Sequence, residues 1–208
     1  MIKDFLILKA YSIWKRVERK AEWLLYQRLR NEFKAIGEKT HFSYLNSRIS
    51  GKSFIVIGDR CTFGNYLRMD AIGKYGEQNF SPKLILGNDV VINDFCHIGC
   101  AYEVKIGNNV LVASRVTILD HFHGNITCED INTPPPSKRP LSSKPVVIGD
   151  NVWIGEGVAI MPGVTIGDNV IIGANAVVTH SFPKNVVIAG VPAKIIKYLD
   201  KNNEERIG

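Results

Sequence analysis

A six-residue spacing of apolar residues begins at Ile57 and dominates the rest of this sequence. It runs through five groups of three: Ile57, Phe63, Met69; Leu86, Ile92, Ile98; Ile106, Val112, Ile118; Ile148, Ile154, Ile160; Ile166, Ile172, Val178. This period fits neither an α-helix nor an amphipathic strand, but it is typical of a parallel β-solenoid with one short strand and one corner per repeat. We therefore predict an all-β solenoid of about five triangular coils, each built from three repeats.

The corners support this grouping. A Gly-Asp or Gly-Asn pair opens every group, in "IGDRC", "LGNDV", "IGNNV", "IGDNV" and a second "IGDNV". Glycine, Asn and Asp tolerate the positive φ that a tight corner needs, so we expect these pairs to stack along one edge. Cys61 and Cys96 fall four places after an apolar position, where a small side chain fills a narrow interior.

Three insertions interrupt the period, after Met69, Ile98 and Ile118. Each follows the third repeat of a coil, so all three are predicted to leave the solenoid from the same edge. Insertions on one face of a solenoid often form its binding surface. The longest insertion begins with "DHFHG" and carries "NTPPPSKRP", which cannot be regular structure.

The first 40 residues differ in character from the remainder. They hold ten basic and five acidic residues, whereas the rest of the chain is nearly neutral, which gives no reason to expect nucleic acid as a partner. Their apolar residues lie at helical spacing: Leu6, Ala10, Ile13, Val17, Ala21, Leu24 and Leu25, with Trp14 and Trp23 beside them. Such a face most often packs on the body or on another subunit, but a basic helix with flanking aromatic residues can also lie on an anionic membrane.

These patterns predict three parts of the chain. Residues 1–40 form a basic amphipathic helical segment, residues 41–187 the solenoid with insertions at 70–85 and 119–147, and residues 188–208 a cap with a short helix. The longest apolar run, "FLIL", is too short to span a bilayer, and no signal peptide is evident. The four cysteines lack metal or redox spacing, so we interpret them as free thiols and expect a cytoplasmic protein.

Residues 57–197 resemble the hexapeptide-repeat acyltransferases, which fold as a left-handed parallel β-helix. The stretches that carry this resemblance are "IGNNVLVASRVTI", "VVIGDNVWIGEGVAIMPGVTIGDNVIIGANAVVT" and "IAGVPAKIIK". Galactoside, maltose and polysaccharide O-acetyltransferases are the most similar subgroups. The resemblance implies a homotrimer that binds acetyl-CoA between neighbouring prisms and transfers the acetyl group to a sugar hydroxyl, with no metal expected.

The same resemblance identifies candidate catalytic residues. In these relatives the catalytic histidine lies about five residues beyond the apolar position that closes its coil, which corresponds here to His123. Its neighbour His121 is either a partner or the base itself, and Asn93 aligns with an asparagine on the acceptor side. Asp120 could orient a histidine, although an aspartate at a turn more often serves the turn. We predict His123 as the base, ahead of His121.

Further positions are implied to bind acetyl-CoA. Trp153 would contact the pantetheine arm or the acceptor, Gly155 and Ala174 would offer backbone contacts, and Thr179 would lie near the adenine. Lys194 and Lys197 stand where some relatives have arginines that bind the cofactor phosphates. His180 departs from the several relatives that have lysine there.

Other functions stay open at this stage. His97, His121 and His123 could form the zinc triad of a γ-type carbonic anhydrase, and a non-enzymatic solenoid or an amino-sugar N-acetyltransferase would share the fold. Serine O-acetyltransferases usually have a longer helical N-terminal domain. We predict acetyl-CoA-dependent O-acetylation of a saccharide or lipid-linked glycan in bacterial surface polysaccharide synthesis. Residues 1–36 would then contact the inner face of the membrane.

Overall fold

The chain forms a triangular prism of parallel β-strands with a long helix at its N-terminal end. The computed structural model describes residues 2–42, 46–125 and 135–199. Helix α1 spans Ile2–Leu29, and short 3-10 helices span Arg30–Glu32, Lys52–Phe54 and Pro136–Lys138. Two faces of the prism contain six parallel strands each, so it has six coils. The five predicted coils are present, and one less regular coil precedes them, beginning at Ala35 inside the segment predicted to be helical.

The strands follow in chain order. The first coil contains β1 (Ala35–Ile36) and β2 (Arg48–Ser50); the second contains β3 (Ile55–Ile57), β4 (Thr62–Phe63) and β5 (Arg68–Ala71). Hairpin β6 (Lys74–Tyr75) and β7 (Gln78–Asn79) precedes the third coil, β8 (Lys83–Leu86), β9 (Val91–Ile92) and β10 (His97–Cys100). The fourth coil, β11 (Glu103–Ile106), β12 (Leu111–Val112) and β13 (Thr117–Leu119), is followed by hairpin β14 (His121–His123) and β15 (Leu141–Ser143). The last two coils are β16 (Val146–Ile148), β17 (Trp153–Ile154), β18 (Ala159–Ile160) and β19 (Thr165–Ile166), β20 (Ile171–Ile172), β21 (Val177–Val178). Strands β22 (Val186–Ala189) and β23 (Lys194–Tyr198) close the prism.

Three sheets make up the faces. Face 1 contains β1, β3, β8, β11, β16 and β19; face 2 contains β4, β9, β12, β17, β20, β22 and β23; face 3 contains β2, β5, β10, β13, β18 and β21. We name each edge by the faces it joins, in chain direction. The Gly-Asp/Asn corners therefore lie on the 1–2 edge, and the insertions on the 3–1 edge.

The interior consists of the residues that define the six-residue period. Side chains alternate across a strand, so one apolar residue in each short strand points inward. Ile57, Ile98 and Ile118 are at most 2% exposed. Cys61 and Cys96 are buried in the same core, as their positions in the repeat predicted, and both are free thiols. Cys128 lies outside the described residues.

The 1–2 edge is held by a side-chain ladder, and here the predicted role of the glycine was wrong. The residue with positive φ is Asn151, two places after Gly149. A Cβ on Gly149 would approach the backbone of Gly167 and Asp168 in the next coil to within 3 Å, so close stacking requires this glycine. The Asp150 carboxylate accepts a hydrogen bond from the N–H of Asn108 in the preceding coil at 2.6 Å, and this contact recurs along the edge.

The 3–1 edge carries the two large insertions, as predicted. Hairpins β6–β7 and β14–β15 lie next to each other because the Gln78 side chain pairs with the backbone of Leu141. Its Nε2 donates to the Leu141 carbonyl at 3.1 Å, and its Oε1 accepts from the Leu141 N–H at 2.6 Å. The two excursions therefore form one wall above face 3.

The ends of the prism are covered differently. Phe42 stacks on Phe33 and Phe63, with ring centroids 5.7 and 4.1 Å apart, and this links the segment after α1 to the core. At the other end, the described part of the cap is strand β23, antiparallel to β22, rather than the predicted short helix. Alternation explains the strand, because Ile195 packs against the core while Lys194 and Ile196 are exposed. Residues 200–208 lie outside the described residues.

The first half of α1 stands clear of the prism. Leu6, Ile13, Trp14 and Val17 are each more than half exposed, so the predicted packing of this face on the body is not seen. The second half of the helix lies beside the prism. Lys15, Glu18 and Glu22 line one depression together with Asn65 and Tyr66, and the ring of Tyr26 lies 6.3 Å from that of His41. No helix among the described residues has both the length and the apolar character needed to cross a bilayer.

Candidate active site

A cavity of about 640 Å³ opens at the 3–1 edge, between face 3 and the two hairpins. Both candidate histidines, His121 and His123, line it from strand β14. Tyr75 and Lys74 of β6 line it from the other hairpin, and Arg48, Arg68 and Asp70 of face 3 form its floor. The two histidines follow the coil that ends at Ile118, and they lie over the outer surface of face 3 in the preceding coils.

His121 is held by a buried carboxylate. Its Nδ1 lies 2.9 Å from Oδ1 of Asp120, whose side chain is fully buried. Asp120 also accepts hydrogen bonds from the backbone N–H groups of Ala101, Tyr102 and Glu103 at 2.7–2.9 Å. Burial raises the pKa of Asp120, but the bonds from His121 and from these N–H groups outweigh it and leave the pKa below its usual range.

This arrangement orients the His121 ring. An ionised carboxylate only accepts hydrogen bonds, so Nδ1 of His121 carries a proton in this contact, and Nε2 is the nitrogen that has the lone pair whenever the ring is neutral. The His121 side chain is only 10% exposed, which restricts the ring to one position. Asp120 thus does both things that its sequence position allowed, since it caps a turn and orients a histidine.

His123 has a weaker, neutral partner. Its Nδ1 lies 3.0 Å from the hydroxyl of Tyr75, and that hydroxyl donates to the carbonyl of Ser137 at 2.8 Å. Because the single phenolic proton goes to Ser137, Nδ1 of His123 is the donor in its contact with the Tyr75 hydroxyl. The His123 side chain is exposed, and its ring centroid is 6.4 Å from that of His121.

The floor of the cavity is charged. Asp70 accepts hydrogen bonds from the Ser50 hydroxyl and from Nε of Arg68, both at 2.6 Å. Burial opposes ionisation of Asp70, but these bonds and the positive charges of Arg68 and Arg48 lower its pKa. His97 lies beside them, 3.9 Å from Asp70, and burial followed by the charge of Arg68 lowers the pKa of its ring. His97 is therefore neutral at pH 7.

Gly99 supports the His121 ring from below. A Cβ at this position would lie 2.7 Å from Cδ2 of Leu119 and 2.9 Å from Cε1 of His121. Real Cβ atoms do not approach other atoms so closely, so His121 occupies the space that a side chain here would fill. The glycine is part of the site although it has no functional group.

The other predicted site residues lie elsewhere on the prism. Trp153 is half exposed on face 2, with Gly155 and Ala174 at the adjoining 2–3 edge and Lys194 and Lys197 on the end strand of face 2. Asn93 is an exposed residue of the 2–3 edge and does not line the cavity. Thr179 lies on the 3–1 edge two coils beyond the histidines, with its hydroxyl 3.4 Å from Nδ1 of His180.

Face 2 has chemistry that fits coenzyme A. Cross-strand pairing puts Trp153, Ile171, Val187 and Lys197 in one row, so an exposed aromatic side chain and a lysine lie on one surface. The small Ala174 leaves this surface accessible at the 2–3 edge. Gly155 has a different reason for being small, because a Cβ there would lie 2.7 Å from backbone atoms of Ile172 and Ala174 in the next coil. Coil stacking thus requires Gly155 whether or not a cofactor binds.

Several residues around the two histidines were not predicted as site residues. Tyr75 lies in an insertion where no periodic signal identifies individual side chains. Arg48 belongs to the first coil, which lacks the regular period. Asp70 and Gly99 directly follow the apolar positions Met69 and Ile98 at the roots of insertions, and this position could have identified them.

The sequence has clear relatives. Residues 145–180 match the bacterial transferase hexapeptide (six repeats) family. Over 146 residues the chain is 45% identical to the "Putative lipopolysaccharide biosynthesis O-acetyl transferase WbbJ" of Escherichia coli (strain K12), covering 69% of this chain and 71% of that protein. The chain belongs to the hexapeptide-repeat acyltransferase family.

Other relatives of this acyltransferase agree with that assignment. The galactoside O-acetyltransferase of Escherichia coli (strain K12) is 37% identical over 126 residues, 61% of this chain and 59% of that protein. A solved galactoside acetyltransferase in complex with coenzyme A is 32% identical with a TM-score of 0.50, covering 84% of this chain and 69% of that one. AntD, an N-acyltransferase from Bacillus cereus, shares the fold at 19% identity, with a TM-score of 0.58 and coverage of 85% and 89%. The predicted left-handed β-helix acyltransferase is confirmed.

The zinc alternative required His97, His121 and His123 to converge on one metal ion. Within residues 2–42, 46–125 and 135–199, no group of three His, Cys, Asp or Glu side chains is arranged to hold a metal ion. His121 is instead engaged with Asp120, and His123 with Tyr75.

Proposed function

We propose that this acyltransferase transfers the acetyl group of acetyl-CoA to a hydroxyl of a saccharide. The observation that carries the proposal is the Asp120–His121 pair at the wall of a cavity large enough for a sugar. Two relatives named for sugar or lipopolysaccharide O-acetylation support the choice of acceptor. By the same relationship, the product belongs to bacterial surface polysaccharide synthesis.

We propose His121 as the general base, in preference to His123. A sugar hydroxyl is a weak nucleophile, so a positioned base must remove its proton as the oxygen attacks the acetyl carbonyl. Nε2 of His121 can take that proton, and the buried Asp120 carboxylate stabilises the imidazolium that forms. The same imidazolium returns the proton to the departing thiolate. The sequence alignment favours His123, whereas the contacts favour His121, because only His121 has an ionised partner.

The co-substrate supplies the activated acetyl group, and the residues on face 2 support its binding. Trp153 and Ala174 would flank the pantetheine arm, with Lys194 and Lys197 as point charges for phosphates. These residues and the cavity with His121 lie at different edges of one prism. A complete site therefore needs face 2 of one subunit against the 3–1 edge of another, and we propose a homotrimer for this reason. Asn93, on the 2–3 edge, would join the site from the neighbouring subunit.

We further propose that α1 contacts the cytoplasmic surface of the membrane. Its first half exposes Phe5, Leu6, Ile7 and Leu8 together with Trp14, among lysines and arginines. Basic helices of this composition bind anionic lipid surfaces. Binding there would bring the cavity near a lipid-linked glycan. Deleting residues 1–20 retains Tyr26 and its contact with the prism, and should abolish cosedimentation with vesicles that contain anionic lipid. If the truncated protein still cosediments, or if it loses the trimer, α1 has a different role.

The base assignment is tested by paired alanine variants. His121→Ala should lower kcat by about 10² to 10⁴, the usual contribution of a general base, and should leave acetyl-CoA binding unchanged. His123→Ala should lower kcat by less than about tenfold, because the substitution removes only the hydrogen bond between His123 and the neutral Tyr75 hydroxyl. The reverse order would identify His123 as the base. Labelled acetyl-CoA with a panel of saccharides and amino sugars tests the reaction, and faster acetylation of amines than of hydroxyls would favour an N-acetyltransferase.

A further inference from the structure

Three cationic side chains line the cavity beside the two histidines: Arg48, Arg68 and Lys74. Among the cavity-lining residues that the structure describes, Asp70 is the only carboxylate, so the lining has a net charge of +2 when its histidines are neutral. By contrast, residues 41–208 as a whole carry sixteen basic and fifteen acidic residues. The positive charge is therefore a local property of the cavity and does not follow from the overall composition.

The two arginines are direct neighbours across strands. Arg48 of β2 pairs in register with Arg68 of β5, and like charges in such pairs repel. Asp70 offsets this repulsion only in part, because its carboxylate lies 2.6 Å from Nε of Arg68 but 3.6 Å from Nε of Arg48. Its own side chain is 6% exposed, whereas the two arginine side chains are 52% and 72% exposed. The guanidinium groups are therefore accessible from the cavity.

Stacking of the coils does not require cations at this position of the repeat. Along face 3 the same column continues through His97 to Thr117, Ala159 and Val177. These residues are polar or apolar but not cationic, and the sheet forms equally well with them. Arginine occurs in the column only in the two coils that form the cavity floor. The pairing of Arg48 with Arg68 is therefore specific to the coils that form the cavity floor.

We infer that the acceptor saccharide carries an anionic group, a phosphate or a carboxylate, which Arg48, Arg68 and Lys74 bind while one of its hydroxyls reaches His121. This inference rests on the proposed sugar acetylation and makes its substrate class more specific. The planar guanidinium group matches the oxygens of either anion. A cleft with one sign of charge also concentrates ligands of the opposite sign. A neutral saccharide would leave the charge of the cavity unpaired.

The experiment compares three probes by equilibrium binding: glucose 1-phosphate, glucuronic acid and the neutral methyl glucoside. The wild-type protein should bind the anionic probes at least about tenfold more tightly, since a charge-assisted hydrogen bond is typically worth such a factor. The double variant Arg48→Gln/Lys74→Gln should lose this preference while retaining the Arg68–Asp70 pair. Lys105→Gln removes an exposed lysine of face 1 and should keep the preference. The more tightly bound of the two anions identifies the group on the natural acceptor.

The outcomes separate this inference from the proposed function. Equal binding of methyl glucoside and the anions, or an unchanged preference in the double variant, would overturn the anionic acceptor and leave sugar acetylation standing. A preference for anions without acetyl transfer from labelled acetyl-CoA to any saccharide would overturn the acetylation and leave the anion site. His121→Ala should retain the anion preference and lose transfer, because the base and the cations act separately.

Discussion

Replacing Gly99 with alanine tests whether the position of the His121 ring sets the rate. The new Cβ would lie 2.7 Å from Leu119 Cδ2 and 2.9 Å from His121 Cε1. Carbon atoms in contact are usually about 3.5–4.0 Å apart, so the ring must move by roughly 0.6–1 Å. A displacement of about 1 Å at a reacting group can cost about 10²-fold in rate. We therefore expect kcat to fall by about ten- to a hundredfold.

The stability of the prism should change little in the same variant. Alanine is favoured over glycine in a strand by about 0.5–1 kcal/mol, and this offsets part of the overpacking, which typically costs about 1–3 kcal/mol. Both clashing atoms are the ends of side chains that can move. Urea unfolding should therefore give a midpoint close to the wild-type value.

The assay is the release of free thiol from acetyl-CoA in the presence of a saccharide acceptor. The double variant Gly99→Ala/Leu119→Ala relieves the contact with Leu119 but not the contact with His121, so it should remain slow. Wild-type turnover by a folded Gly99→Ala protein would refute the argument that His121 must sit where it does. It would then favour His123 as the base.

Three further predictions concern the scaffold. Asp120→Asn should lower the free energy of unfolding by about 1–3 kcal/mol, because buried N–H groups lose a charged acceptor. Folding lowers the pKa of Asp120. Its contribution to the free energy of unfolding is therefore complete above about pH 4, the usual pKa in an unfolded chain, and is lost as the pH falls through the lower pKa of the folded state. The free energies of unfolding of the two proteins, measured by urea titration, should approach each other as the pH is lowered from 7 to 3. Asn151→Ala should cost about 1–2 kcal/mol more than Asn151→Gly, since glycine accepts the positive φ of this position without the Cβ strain that alanine incurs, and equal unfolding midpoints would contradict this. Phe42→Ala should destabilise the protein by about 3–5 kcal/mol, because the ring is 7% exposed and stacks between the rings of Phe33 and Phe63. A loss below about 1 kcal/mol in the free energy of unfolding would show that the first coil is not coupled to the core.

The regular part of the fold could be predicted from the sequence because its cause is local. Each apolar residue of the six-residue period faces the same narrow interior, so Ile57 and its equivalents determine the coils directly. The first coil, from Ala35 to Ser50, was missed because its contacts with β3 and β5 use residues that lack the period. The strand at "KIIKY" could not be predicted, because its conformation comes from pairing with β22, which is a tertiary contact.

The candidate site was only partly predictable for a similar reason. The position of His121 and His123 at the root of an insertion follows from the repeat, and so does their edge of the prism. Which side chains meet them does not, because Tyr75 reaches His123 through a hairpin whose path has no period. The choice between the two histidines depends on Asp120, and its burial becomes visible only when the backbone of residues 101–103 is in place.

The ladder of Asp and Asn side chains on the 1–2 edge has a consequence for how such proteins diversify. It joins successive turns at a corner that carries neither hairpin, so the stacking of the coils does not depend on the wall formed by the two hairpins. Loops on the 3–1 edge can therefore change in length or composition while the solenoid keeps its geometry. Residues that stabilise the fold and residues that determine specificity can therefore change independently, because they lie on different edges of the prism.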